Sequence, residues 1–165
     1  MMRKPTNILN RSKCAERGTQ LAELAIVIPI FVLLLAGVAE FGLYFYTYTT
    51  LDKATRVAAR YITSVPYNPN NPTDPNNSIA KAKNLAVCGT ISACSAGSEI
   101  ISGLSTSNIS ITTTGPNTFF PQTITVQIVG YNYQSLFNLG AFTGGSSWQS
   151  VAVSPGTTMR YTLEN

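Results

Sequence analysis

The chain predicts an α+β fold in which a long N-terminal helix, membrane-spanning in its first half and amphipathic in its second, packs on a small antiparallel β-rich head. An uncharged, mostly apolar run fills the interval between Glu23 and Glu40, and beyond it apolar residues recur at helical spacing as far as Ile62. From Ile109 onward, short segments are β-branched or alternate apolar with polar residues. With roughly the first 64 of the 165 residues given to a leader and the helix, about 100 remain, which suits one compact domain. The expected organisation is a basic leader over 1–18, the helix over 19–64, a Pro/Asn-rich connector over 65–77 and the head over 78–165.

The leader holds all of the net charge. Arg3, Lys4, Arg11, Lys13 and Arg17 against Glu16 give the formal +4 of the whole chain. In the remainder Lys53, Arg56, Arg60, Lys81, Lys83 and Arg160 balance Glu23, Glu40, Asp52, Asp74, Glu99 and Glu164. A nucleic-acid-binding domain needs a basic face, so no nucleic-acid partner is expected for this neutral head.

The helix follows. The 16 uncharged residues from Leu24 to Ala39 rise about 24 Å as a helix, slightly less than a bilayer core of about 30 Å. Phe41, Tyr44, Phe45, Tyr46 and Tyr48 follow directly as a collar of the kind that sits at a membrane interface, which puts the two glutamates near opposite headgroup layers. Five basic residues before the span against Lys53, Arg56 and Arg60 after it favour a cytoplasmic N-terminus. The expected location is therefore a single pass through the inner (cytoplasmic) membrane with the head outside. Leu51, Ala54, Ala58 and Ile62 then recur at three- and four-residue intervals among the basic residues, so the helix is expected to run from Thr19 to Ser64, about 70 Å in all. Pro29 should kink it or leave backbone locally unpaired.

Pro66, Pro69, Pro72 and Pro75 fall at every third residue, the period of polyproline II, and predict a stiff, solvated connector. Ile79, Ala82, Leu85 and Ala86 predict a short helix from Ser78 to Val87. Cys88 and Cys94 then bracket five residues; Cys14 is in the leader, so removing the leader leaves an even count. A disulfide closing this loop is expected in an oxidising compartment, the alternative being two free thiols. Strands are expected at Ile109 to Thr114, Gln122 to Val129, Val151 to Val153 and Met159 to Leu163, with an exposed loop at Gly144 to Ser147 before Trp148.

Chemistry is largely excluded. With no histidine, Ser-His-Asp and Cys-His nucleophiles and imidazole metal sites are absent. Ser78 lies near Lys81, but the motifs that accompany a Ser-Lys dyad are absent and exposed helix positions suffice to explain both, and Asp74 among prolines makes a poor calcium loop. No catalytic residue, metal or cofactor is expected, and the chain is not expected to be an enzyme. Asn76-Asn77-Ser78 and Asn108-Ile109-Ser110 fit the N-glycosylation pattern, which has meaning only in a host with that machinery.

Taken together, Arg17-Gly18, Glu23, Pro29, the Leu-rich run, Glu40-Phe41-Gly42 and Ala58-Ala59-Arg60-Tyr61 resemble the N-terminal signature of TadE-like proteins, minor pseudopilins of the tight-adherence (Flp, type IVc) pilus system. The resemblance covers residues 17–62. It implies a type IV pilin-like fold and cutting after Gly18 by a prepilin peptidase, which leaves Thr19 as the new terminus. It also implies partnership with the major pilin, a companion minor pilin and the inner-membrane assembly platform, in support of pilus biogenesis and adhesion. The residues agree with this: a carboxylate within a span costs about 2.5 to 3.5 kcal/mol, so Glu23 needs a partner, and a freed amine at Thr19 of a neighbouring subunit is the natural one. Two alternatives stand beside it. A signal peptidase cutting after Ala39 would release a soluble head, and an uncleaved single-span adhesin would use the head as its working part.

Overall fold

The structure, a computed structural model, describes residues 9–137 and 150–162, with side chains described from residue 18 onward. Residues 1–8, the expected loop at Gly144 to Ser147, Trp148 and Leu163 lie outside the described residues, as does the side chain of Cys14. The chain forms two compact units, Met1–Phe41 and Gly42–Asn165. The class is α+β, with a long N-terminal helix whose second half packs on a small antiparallel head.

Helix α1 spans Leu9–Thr63, 55 residues. It starts in the leader rather than at Thr19, because the residues from Leu9 to Arg17 contain no proline and several strong helix formers, and a single glycine at 18 costs only about 1 kcal/mol. It stops at Thr63, where Ser64 folds back to donate from N–H and hydroxyl to the Tyr61 carbonyl at 3.1 and 2.9 Å, just before Pro66. In the first unit every residue from Gly18 to Leu35 is exposed, and from Leu24 onward the stretch is apolar all round. Pro29 lies inside it and the helix continues through; the Ala25 carbonyl is left without a backbone N–H four residues on.

In the second unit one face of α1 is buried. Thr47, Leu51, Ala54, Thr55, Ala58, Ala59 and Ile62 line it, while Lys53, Arg56 and Arg60 remain in solvent and Arg56 meets Asp52 at 3.0 Å. The alanines let the helix approach closely, and the Thr55 and Thr157 hydroxyls hydrogen-bond at 3.1 Å across the contact.

Helix α2 spans Ser78–Cys88. The Asn77 side chain caps it by accepting from the Ile79 N–H at 2.8 Å, and Gly89 ends it in the left-handed conformation at φ 69°. Cys88 and Cys94 are joined as a disulfide, their Cα atoms 5.9 Å apart, which ties the end of α2 to the next loop and contributes about 2 kcal/mol in the chain-entropy account.

Strands β1 (Ile109–Thr114), β2 (Thr123–Ile128) and β5 (Gly156–Arg160) form an antiparallel sheet in the order β1-β2-β5. Strands β3 (Tyr131–Gln134) and β4 (Ser150–Val153) form a separate antiparallel pair. Ile109 stands opposite Ile128, and Ile124, Val126 and Ile128 project from β2 into the core with no exposed surface. There they join Leu51, Ala58, Ala59 and Ile62 of α1 and Ala82, Ala86 and Val87 of α2. Strand β3 is not among the expected strands: four residues with two tyrosines give too short an alternation to register. The last strand falls earlier than expected, at Gly156–Arg160, and Tyr161 leaves it to serve a different purpose.

Tyr161 is buried and its hydroxyl accepts the Tyr67 N–H at 3.0 Å while donating to the Val65 carbonyl at 3.2 Å. Beside it the Thr162 hydroxyl donates to the Thr63 carbonyl at 2.8 Å. The residues that leave α1 are thereby tied to the end of the sheet. The connector is correspondingly not a solvated polyproline rod. Tyr67 is in the core, and from Asn71 the chain folds into successive turns with Asp74 N–H on the Asn71 carbonyl and Asn77 N–H on the Asp74 carbonyl. The Asn77 amide donates to the Asn70 and Asn71 carbonyls at 2.6 and 3.2 Å, so asparagine hydrogen bonding overrides the proline period. Replacement Tyr161→Phe strands a buried N–H and is expected to destabilise the head by about 1–3 kcal/mol with no change in the denaturant slope, measured by urea unfolding of the detergent-solubilised protein.

Candidate functional site

The residues singled out in the sequence for cleavage and assembly all lie on α1, while the cysteine pair Cys88 and Cys94 lies at the end of α2 and in the loop beyond it. Gly18 and Thr19 stand within uninterrupted helix, and Thr19 and Glu23, four apart, share a face. Glu23 is exposed. Between Glu23 and Glu40 lie 17 steps of helix, about 25 Å of rise, comparable to a bilayer core. The helix is long and apolar enough to cross a membrane. Pro29 divides this interval, and Glu40, Phe41 and Gly42 close it.

Three glycines, Gly18, Gly37 and Gly42, are incorporated in α1. None adopts a positive φ, and a methyl group added at any of them would meet nothing within 4 Å. Neither backbone conformation nor packing within the chain therefore asks for glycine there, although each costs about 0.5–1 kcal/mol relative to alanine in a helix interior. Gly115 makes the contrast: its φ is +133° and a Cβ would fall 2.7 Å from the Gln122 nitrogen, so this chain itself needs it.

The aromatic collar divides. Phe45, Tyr46 and Tyr48 are exposed, whereas Tyr44 turns into the head and sets its ring edge-on against Tyr133 of β3, with centroids 5.6 Å apart and planes at 83°. Beside this contact runs a groove of about 480 Å³ between Thr47, the Ile101–Gly103 turn and β3. Tyr131 forms part of its wall and donates to the Ser102 carbonyl at 3.3 Å. Sequence reasoning misses this surface because it does not find β3 as a strand; the Tyr131-Asn132-Tyr133 alternation, two residues after β2, is the available signal. Among the described residues, no three histidine, cysteine, aspartate or glutamate side chains gather into a possible metal site.

Burial raises the pKa of two phenols above the ordinary value near 10. For Tyr67 desolvation dominates over an opposing hydrogen bond from Thr113, and for Tyr131 desolvation acts alone. The folded state thus favours the neutral phenols: their contribution is complete below the unfolded value and is lost as pH rises through the raised folded values. Alkaline titration is expected to leave stability flat up to about pH 10 and then lower it, with phenolate absorbance of these two rings appearing together with loss of near-ultraviolet circular dichroism rather than before it.

The model of the TadE-like protein family matches residues 18–60, a range that begins at Gly18 and ends at Arg60 of α1. No curated protein and no solved structure matches the chain. The family is pilus-associated, and among the described residues one helix is long and apolar enough to cross a membrane, which fits that setting.

Proposed function

We propose that this protein is a minor pilin or pseudopilin subunit of a tight-adherence pilus, cut after Gly18 by a prepilin peptidase and assembled through its N-terminal helix. The observation that carries the reading is the family match over residues 18–60, which coincides with the helix that is apolar all round in its first part. The glycines at 18, 37 and 42 support it: since nothing inside the chain requires them, the demand for a slim helix comes from a protease or from neighbouring helices.

In this mechanism the apolar part of α1 holds the precursor in the inner membrane with the leader in the cytoplasm. Cleavage exposes an ammonium at Thr19. A charged pair is far less costly in hydrocarbon than either ion alone, so the Glu23 carboxylate of one subunit and the Thr19 amine of its neighbour select a single axial register. Pro29 frees the Ala25 carbonyl and gives the helix a place to bend as it leaves lipid for a filament. The chain carries no reaction of its own; the prepilin peptidase, the major pilin, a companion minor pilin and the assembly platform are its partners, and adhesion follows from the filament it helps to build.

Sequencing of the N-terminus from native membranes is expected to give Thr19, dependent on the prepilin peptidase; Glu40 would identify a released head and Met1 an uncleaved anchor. Replacement Glu23→Ala is expected to leave insertion and cleavage intact while pilus yield falls at least about tenfold, the equivalent of 1.4 kcal/mol in subunit pairing. Normal pilus yield would sink the pairing mechanism.

A further inference from the structure

We propose that the head rests on the lipid headgroup layer through the turn that follows β3, with Leu136 and Phe137 entering the interface alongside Phe45, Tyr46 and Tyr48 of α1. The proposal rests on the reading that the apolar run spans a bilayer. Leu136 is 69% and Phe137 38% exposed, and Phe45 and Tyr46 are 57% and 65% exposed. The first two follow Tyr133 by three and four residues, and Tyr133 is fixed against Tyr44 by the edge-on ring contact.

Chain length places this surface. Tyr44 follows Glu40 by four residues, about 6 Å of helical rise and at most about 14 Å of extended backbone. The headgroup layer is about 5–7 Å deep on each side of the hydrocarbon. The short chain from Glu40 to Tyr44, together with the Tyr44–Tyr133 ring contact, therefore keeps the turn after β3 within reach of that layer.

Charge then decides what covers it. No charged residue occurs from Ile100 to Met159, nor from Phe41 to Leu51, so β3, the turn after it and the adjoining stretch of α1 bring no ionic group that would resist partial desolvation. What it offers is aromatic and aliphatic side chains with uncharged polar neighbours such as Thr47, Asn132 and Gln134, the composition of an interfacial belt rather than of an anionic-lipid patch. A single exposed leucine would need no explanation; here Leu136, Phe137, Phe45, Tyr46 and Tyr48 are all exposed, and each lies within four residues of the Tyr44–Tyr133 contact. The opposite end makes a built-in comparison. Strand β5 runs the same way as α1, since Thr157 meets Thr55 and Thr162 meets Thr63, and Arg160 pairs with Thr123. The β1–β2 turn therefore carries its exposed Phe119 and Phe120 at the far end.

The test uses the full-length protein, in a Cys14→Ser background, reconstituted in phosphatidylcholine vesicles with a fluorophore at Leu136→Cys, Phe45→Cys, Phe119→Cys or Val32→Cys, and bromine-labelled lipids as depth-resolved quenchers. The expected result is strong quenching at 136 and 45 by bromines near the headgroups, severalfold greater than at 119, and at 32 by bromines deep in the chains. Quenching at 136 no stronger than at 119, with 32 quenched, overturns the docking and leaves the span intact. Absence of quenching at 32 overturns both. A response at 136 that grows with protein-to-lipid ratio and ignores the bromines identifies a second copy as the cover, and also overturns the proposal.

Discussion

The seating of α1 on the three-stranded sheet is the contact on which the head depends. Three strands cannot hide one face of isoleucines and valines by themselves, and the β3–β4 pair is too small to do it. Leu51, Ala58, Ala59 and Ile62 of α1, with Ala82, Ala86 and Val87 of α2, supply the cover for Ile124, Val126 and Ile128. The small residues matter as much as the large ones. With alanine at 54, 58 and 59 the helix backbone comes close enough for the Thr55 and Thr157 hydroxyls to meet, and a leucine in their place would hold the layers apart. The second half of α1 is thus a structural member of the head and not a tether attached to it.

A helix that leaves the core at Thr63 must hand its chain to the next element without leaving buried polar groups unmatched. Tyr161, Thr162 and Asn77 perform that transfer. The Tyr161 hydroxyl both accepts and donates, between Tyr67 N–H and the Val65 carbonyl, and the Asn77 side chain caps α2 with its oxygen while its amide serves Asn70 and Asn71. The same burial that makes these bonds effective raises the phenol of Tyr67, so the fold is matched to a neutral side chain at this point.

Much of this is legible in the residues because it rests on period. The alternation of Ile124, Val126 and Ile128 marks β2, and Leu51, Ala54, Ala58 and Ile62 mark the inward face of α1. Where period misleads, a short-range interaction has won. Prolines at every third residue match polyproline II, but asparagine side chains bend the chain into turns. Tyr44 falls among aromatics and reads as part of a collar, although it continues the 44-47-51 face of the helix into the head. Tyr161 reads as strand, and its part in fastening the chain after α1 is out of reach, since no local pattern reveals a contact across 94 residues. The positions marked at the amino end are found by motif and charge, which need no tertiary structure.

What the chain leaves unsatisfied explains why those positions stand apart from the fold. Every buried side-chain polar group among the described residues has a partner, and the head meets its own requirements. The first unit does not. From Leu24 to Ala39 its helix is apolar on all sides, its glycines at 18 and 37 serve no internal contact, and its Ala25 carbonyl lacks a helical N–H. In an isolated helix a glycine costs about 1 kcal/mol and an interior proline about 3, and such features persist where an external surface uses them. In the proposed function that surface is lipid for the apolar faces, and another helix or a protease for the slim positions and the charge at the edge of the apolar run. The division of the chain is therefore energetic as well as spatial: one unit complete in itself, the other completed only by its surroundings.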